Sequence, residues 1–287
     1  MRVLILGVSG MLGNAMMLKL SGNPKLEVFG TLRSASALRH FDAETAGRIL
    51  TGVDVENHDV LTSTLARVRP DVVINCVGLV KQLADANDPL VALPINAMLP
   101  HRLVRLCALG NARLVHISTD CVFNGKRGMY LETDASDAED LYGRSKYIGE
   151  VSAPHAITLR TSIIGHELAS NHGLVDWFLS QTGSVKGFAR AIFSGLPTDE
   201  LAQVISDFVL PKPEISGVFH VASAPISKYD LLKLVAEAYG KEITIERDDA
   251  FTIDRSLIAD KFAAATGYTA KSWPQLVKNM YEFNRRP

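Results

Sequence analysis

The chain has 287 residues, 47 % of them hydrophobic and 21 % charged, with 30 Lys plus Arg against 31 Asp plus Glu and a formal net charge of −1. That length suits one Rossmann-sized domain with a smaller lobe, and the composition supports a sizeable core. Balanced charge without a polybasic stretch argues against a nucleic-acid binder, and no run reaches the roughly 18 apolar residues of a membrane span.

The opening residues Met1–Leu6 resemble the start of a secretory signal, but they read better as a buried first strand running into a glycine-rich turn. Further apolar runs predict strands at Glu27–Leu32, Val72–Val77, Leu114–Ser118 and Ala156–Arg160. Between them, helical spacing is found at Met11–Leu20, Leu61–Val68, Pro89–Leu109 and Leu141–Val151. Pro94 and Pro100 predict a kink or early break in the third of these. The alternation implies an α/β fold, a Rossmann-type doubly wound parallel sheet. After Thr161 the elements become shorter. Helices are expected at Leu174–Gln181, Thr198–Leu210, Lys228–Tyr239, Arg255–Ala265 and Trp273–Phe283, with a strand at Val218–Val221. We therefore expect a dinucleotide-binding domain over residues 1–160 and a smaller substrate-binding lobe over 161–287, some of whose strands rejoin the main sheet. Cys76, Cys107 and Cys121 form no disulfide framework, which fits a reducing, cytoplasmic setting.

Three clusters carry chemistry. The first strand ends in Gly7-Val8-Ser9-Gly10-Met11-Leu12-Gly13, a spacing that lets backbone approach a pyrophosphate at a helix N-terminus. A plain strand-to-helix turn is the alternative. About 20 residues on, where an NAD site usually carries an acid, stand Arg33 and Ser34, which suit a 2′-phosphate. NADP(H) is therefore the expected cofactor, with NAD(H) open. Tyr142 and Lys146 share a helix face, and an ammonium beside a phenol favours the anion, tuning a tyrosine for acid–base work. The preceding strand delivers Ser118, Thr119 and Asp120 at its C-terminal end, where such sheets bind ligands. The histidines lack ligand spacing, so no protein-built metal site is expected.

Together these segments resemble the extended short-chain dehydrogenase/reductase family. The branch they are most similar to is that of the dTDP-4-dehydrorhamnose reductases and related nucleotide-sugar reductases. The resemblance runs through Asn75-Cys76-Val77-Gly78, Asn96, Ile117–Phe123, Tyr142–Lys146, Gly149-Glu150, Leu159-Arg160-Thr161, Gly195–Thr198 and Asp254-Arg255-Ser256. It implies Tyr142 as general acid, Lys146 on the nicotinamide ribose and Thr119 on the substrate carbonyl. It also implies cofactor contacts from Asp54, Val55, Cys76, Val77, Gly78, Asn96 and Ser118, and substrate contacts from Lys81, Asp120, Val122, Phe123 and Arg255. The implied reaction is hydride transfer to the C4 ketone of a dTDP- or UDP-linked 4-keto-6-deoxy sugar, in surface-polysaccharide precursor synthesis.

Two alternatives follow from the same resemblance. Cys121 stands where the rhamnose-forming enzymes usually carry Tyr, and in GDP-fucose synthases a cysteine there works with a histidine that falls near His166. That pair would make an epimerase-reductase. The chain also resembles the regulatory β subunit of methionine adenosyltransferase, which keeps the fold for binding; retention of Thr119, Tyr142 and Lys146 argues for catalysis instead. A homodimer is compatible with the family pattern but no motif decides it.

Overall fold

In the first strand, β1 (Arg2–Leu6), alternate residues point to opposite faces, as the pleat dictates. Val3 and Ile5 enter one buried cluster, while Leu4 and Leu6 enter another. A strand buried on both faces is the mark of a parallel sheet covered by helices on each side. The computed structural model, which describes residues 1–79 and 87–285, has this architecture.

The main sheet contains β2 (Glu27–Thr31), β3 (Ile49–Leu50), β4 (Val72–Asn75), β5 (Arg113–Thr119), β6 (Ala156–Thr161) and β10 (Gly217–His220) beside β1. Their order is β10-β6-β5-β4-β1-β2-β3, and every pairing is parallel. The chain winds outward from β1 in one direction and then, from β4, in the other. This leaves a crevice beyond the C-terminal ends of β1 and β4, where doubly wound sheets bind ligands. β10 comes from beyond residue 161, so the later part of the chain shares the main sheet.

The helices of the first half are α1 (Met11–Ser21), a short α2 (Ala43–Ala46), α3 (His58–Val68), α4 (Pro89–Ala92), α5 (Leu99–Leu109) and α6 (Leu141–Ile148). The long helical pattern from Pro89 does not break at its prolines. It passes from α4 through a π-helical segment, Leu93–Met98, into α5, with the Leu99 amide donating to the Pro94 carbonyl. Pro94 and Pro100 offer no N–H to a regular ladder, and the wider π turn absorbs the mismatch. Asn96 lies on this segment, buried.

The later part adds β7 (Ile163–Ile164) paired with β9 (Leu196–Pro197), α7 (Leu174–Ser180), α8 (Thr198–Val204), α9 (Lys228–Tyr239), α10 (Asp260–Thr266) and α11 (Trp273–Asn284). A second sheet joins β8 (Ser184–Phe193) to β11 (Ile226–Ser227) and β12 (Thr244–Asp254), in the order β11-β8-β12. Neither β8 nor β12 is expected from hydrophobic pattern, because β12 is exposed or half-buried along its whole length and β8 alternates irregularly. The helix expected from Arg255 begins only at Asp260; residues before it continue from β12, and Leu257 bridges to Tyr130. One apolar core nevertheless runs from Val3 and Met16 through Leu201, Leu231 and Leu276 to Met280. The second part is thus seated on the face of the first sheet that α1 covers.

Candidate active site

Gly7 follows β1 with φ +84°, and a Cβ there would come within 2.8 Å of Val77 Cγ2 across the crevice. A Cβ on Gly13 would overlap the Gly7 carbonyl oxygen. Those two glycines are therefore demanded by the fold itself, the first by its left-handed backbone and both by close packing. Gly10 is different. It is the N-cap of α1, and a Cβ would meet only the Gly7 oxygen at an ordinary 3.6 Å. The exposed cradle above Ser9 and Gly10, at a helix start with no side-chain cap, fits a pyrophosphate. Met11 is half-buried there, whereas the Leu12 side chain turns into the core and leaves only backbone to a ligand.

Arg33 and Ser34 are exposed just beyond β2, and Ser34 caps the following turn by accepting from the Ser36 amide at 3.3 Å. Asp54 is exposed and accepts from the Glu56 amide, next to half-buried Val55. Cys76, Val77 and Gly78 follow β4, facing the glycine turn. Burial pushes the Cys76 thiol up to about 12, against the pull of Lys146, so it is inert as a nucleophile. The Asn96 amide clamps the next residue: Oδ1 accepts from the Leu79 amide at 2.9 Å, and Nδ2 donates to the Leu79 carbonyl and to Ser145 Oγ. Lys81 lies outside the described residues.

The catalytic candidates are brought together by α6. Asp140 caps this helix through the Gly143 amide at 2.7 Å. A Cβ on Gly143 would overlap the Cys121 carbonyl oxygen, and one on Gly149 would overlap the Asn96 carbonyl oxygen. These two glycines let α6 press against the turn after β5 on one side and the π segment on the other. Tyr142 is thereby hydrogen-bonded to Thr119. Burial, and then the neighbouring Cys121, Asp120 and Asp140, raise the Tyr142 pKa well above its ordinary value, against that hydrogen bond. Lys146 does not counteract this in the way its spacing suggests. Its Nζ donates to the Ile117 carbonyl at 2.7 Å and lies near Gly78, and burial brings its pKa down to about 8, opposed by Glu150 and Cys76.

The supporting groups are deeply buried. Glu150 receives two bonds from Arg160, each 2.7 Å, and a third from Ser118 Oγ at 2.8 Å. This ties Ser118 to Glu150. Asp120 is also buried; burial raises its pKa against Arg255 and the side chains of Thr119, Cys121 and Ser162. Val122 and Phe123, expected among substrate contacts, are fully buried in a small cluster with Tyr130 and Leu257. Phe123 stacks on Tyr130 at 4.1 Å, and its carbonyl accepts from Arg255 Nε at 2.7 Å. Their side chains support the site from beneath, because apolar packing there outweighs exposure to a polar ligand.

The Cys121–His166 pairing is not formed. His166 Nδ1 meets Asp176 at 2.5 Å and Nε2 meets the Tyr239 hydroxyl at 2.8 Å, so both ring nitrogens are engaged. Trp177 and Phe178 share α7, with Phe178 in the core. Two features escaped sequence reasoning. One is the buried Glu150–Arg160 pair, whose residues stand in the quoted segments without any sign of their contact. The other is Lys228, the first residue of α9, whose charge is stabilised by Asp120 and Cys121 against its burial. A cation at a helix N-terminus runs against the dipole, and that was its available signal.

A doubly wound sheet with a glycine cradle at its switch point, and a Thr, Tyr and Lys gathered at the end of β5, defines a dinucleotide-binding fold of the short-chain dehydrogenase/reductase type. The chain belongs to the family described as RmlD substrate binding domain, whose model matches residues 1–280. It is similar to the dTDP-4-dehydrorhamnose reductase of Aggregatibacter actinomycetemcomitans, with 25 % identity over 97 % of this chain and 98 % of that one. The protein of the same name from Mycobacterium tuberculosis is 36 % identical over 135 residues, 40 % of this chain. That match spans 44 % of the M. tuberculosis protein's length. Among solved structures, a dTDP-4-dehydrorhamnose reductase from Bacillus anthracis in complex with NADP superposes with a TM-score of 0.81 at 21 % identity, covering 99 % of each chain. The UDP-glucose 4-epimerase of Thermotoga maritima gives 0.80 at 17 % identity, again over 99 % of each. No helix among the described residues is long and apolar enough to cross a membrane.

Proposed function

We propose that the protein is an NADPH-dependent reductase of the C4 ketone of a nucleotide-linked 4-keto-6-deoxy sugar, dTDP- or UDP-linked. The observation that carries the reading is the hydrogen-bonded Thr119–Tyr142 pair held one helical turn from Lys146 beside Gly78. The names of the dTDP-4-dehydrorhamnose reductases it resembles, and the NADP in the B. anthracis structure, support it. Residues 1–160 would hold the cofactor, and 161–287 would supply much of the substrate side.

When bound, the nicotinamide supplies the hydride. The glycine cradle and the N-terminus of α1 receive the pyrophosphate through backbone, and Arg33 and Ser34 receive the 2′-phosphate. Thr119 orients the substrate carbonyl oxygen. Tyr142, kept protonated by its surroundings, donates the proton that the new alkoxide requires. Lys146, as an ammonium, holds the ribose and the Ile117 carbonyl, which fixes the end of β5 against α6. Burial of this group excludes water from the reacting carbon. His166, held by Asp176 and Tyr239, is turned to other partners than Cys121, which favours reduction over epimerisation.

NADPH oxidation in deuterated buffer, with dTDP- and UDP-linked 4-keto-6-deoxy sugars, tests the reading. We expect turnover with no enzyme-dependent deuterium at C3 or C5. Enzyme-dependent deuterium there would favour the epimerase-reductase. Tight NADPH binding without turnover of any such sugar would favour a regulatory, non-catalytic role.

A further inference from the structure

Asn75 is the last residue of β4, and its register partners are Leu6 on β1 and His116 on β5. All three side chains fall on one face of the pleat, the face of the apolar layer that holds Leu4, Leu6 and Leu103. Asn75 and His116 are each 1 % exposed. A polar pair buried in such a layer has to satisfy itself. Asn75 Oδ1 accepts from the Val77 amide at 3.1 Å, which turns the chain off the end of β4. The Asn75 NH2 group then meets His116 Nδ1 at 3.2 Å. The Val77 N–H can only donate, so it fixes which way the Asn75 amide points. The NH2 group can only donate as well, so Nδ1 is the accepting nitrogen and the ring proton sits on Nε2. His116 thus acts on Asn75, and Asn75 on Val77. Val77 in turn packs so closely on the glycine cradle that a Cβ on Gly7 would come within 2.8 Å of its Cγ2.

As packing alone, the histidine suits this position poorly. Its Nε2, the nitrogen that carries the proton, is buried and has no hydrogen-bond partner among the described residues. Thr158, the register partner on β6, has its hydroxyl committed to the Val151 backbone. A hydrocarbon ring of similar size would leave no orphaned donor there. What the imidazole supplies, and such a ring lacks, is the acceptor for Asn75. Burial, with the charges of Lys146 and His101, holds the His116 pKa well below the ordinary histidine value, so Nδ1 keeps its lone pair near neutral pH.

We propose that His116 is a positioning residue for the dinucleotide: by accepting from Asn75 it locks the turn that sets the Val77–Gly78 backbone against the glycine cradle, and so governs how tightly the cofactor is held. This rests on the dinucleotide-binding reading of the crevice and not on the identity of the sugar. Without the acceptor, the Asn75 NH2 group is left buried and unpaired, and the side chain loses the second bond that keeps its oxygen on the Val77 amide.

The test is NADPH titration of the whole protein for the wild type, His116→Phe, His116→Gln, Asn75→Ala and the double variant with Phe and Ala, each with its urea midpoint. His116→Phe should weaken NADPH binding about tenfold, and His116→Gln, whose side-chain oxygen can accept from Asn75, should recover most of the loss. In the Asn75→Ala background, His116→Phe should cost no further affinity, because the group it acts through is already gone. In turnover, His116→Phe should raise the KM for NADPH by a similar factor with little change in kcat. Where the Phe protein does not fold, His116→Leu makes the same comparison. Wild-type NADPH affinity in a folded His116→Phe or His116→Leu protein would overturn the inference, whatever the urea midpoint, by making the histidine structural only. Additive losses in the double variant would also overturn it, by separating His116 from Asn75. A wild type that binds no NADPH would overturn both this inference and the dinucleotide reading beneath it.

Discussion

The crevice between β1 and β4 and the sheet β11-β8-β12 meet at the same site but are built by opposite means. The first is made of backbone: glycines at 7, 10 and 13, a bare helix start, and strands buried on both faces. The second is irregularly buried in β8 and exposed or half-buried along β12, and charged side chains such as Arg255 follow directly after it. A pyrophosphate-binding turn needs close approach and fixed geometry, which hydrophobic core and glycine supply. A variable substrate is met by side chains that can be exchanged without disturbing a core. On the proposed function, cofactor and substrate recognition would differ in their dependence on packing.

Substitutions on the first side should act through geometry and be severe. Glu150→Ala would leave the Arg160 guanidinium buried without its partner and release Ser118, and is expected to destabilise the protein by about 3–5 kcal/mol in a denaturant titration. An unchanged midpoint would remove that pair from the framework of the site. Gly13→Ala should abolish dinucleotide binding, because its Cβ would overlap the Gly7 carbonyl; normal NADPH affinity would contradict the tight-turn account.

Arg33→Ala should be milder and selective, weakening NADPH while leaving NADH little changed, since only the former carries the 2′-phosphate. Equal loss for both would make Arg33 structural. The smallest expected effect is in the pH profile. Lys146 acts as the cation and titrates near 8 in the free protein, so kcat/KM should fall as pH rises through that value. A profile flat to pH 10 would show that Lys146 is not needed as an ammonium.

The same contrast explains what could be read in the sequence. Val3–Leu6, Val72–Val77 and the glycine run are visible because burial on both faces and close backbone approach restrict composition. Tyr142 and Lys146 are visible because one helical turn sets their spacing. β8 and β12 are not, since an exposed strand such as Thr244–Asp254 needs no apolar period. Nor does spacing show that Lys146 bonds the Ile117 carbonyl, that Glu150 reaches Arg160, or that His166 is held by Asp176 and Tyr239. Those are tertiary contacts between segments that carry no mark of each other. The π turn at Leu93–Met98 is an intermediate case: Pro94 and Pro100 signal an irregularity, and packing against Gly149 decides its form.

The most direct test of Tyr142 as the proton donor compares wild type and Tyr142→Phe for both NADPH affinity and NADPH oxidation with a nucleotide-linked 4-keto sugar. Removing only the proton donor should cost about 10²–10⁴ in kcat while NADPH binds as before. Turnover by the Phe variant equal to that of the wild type would contradict it.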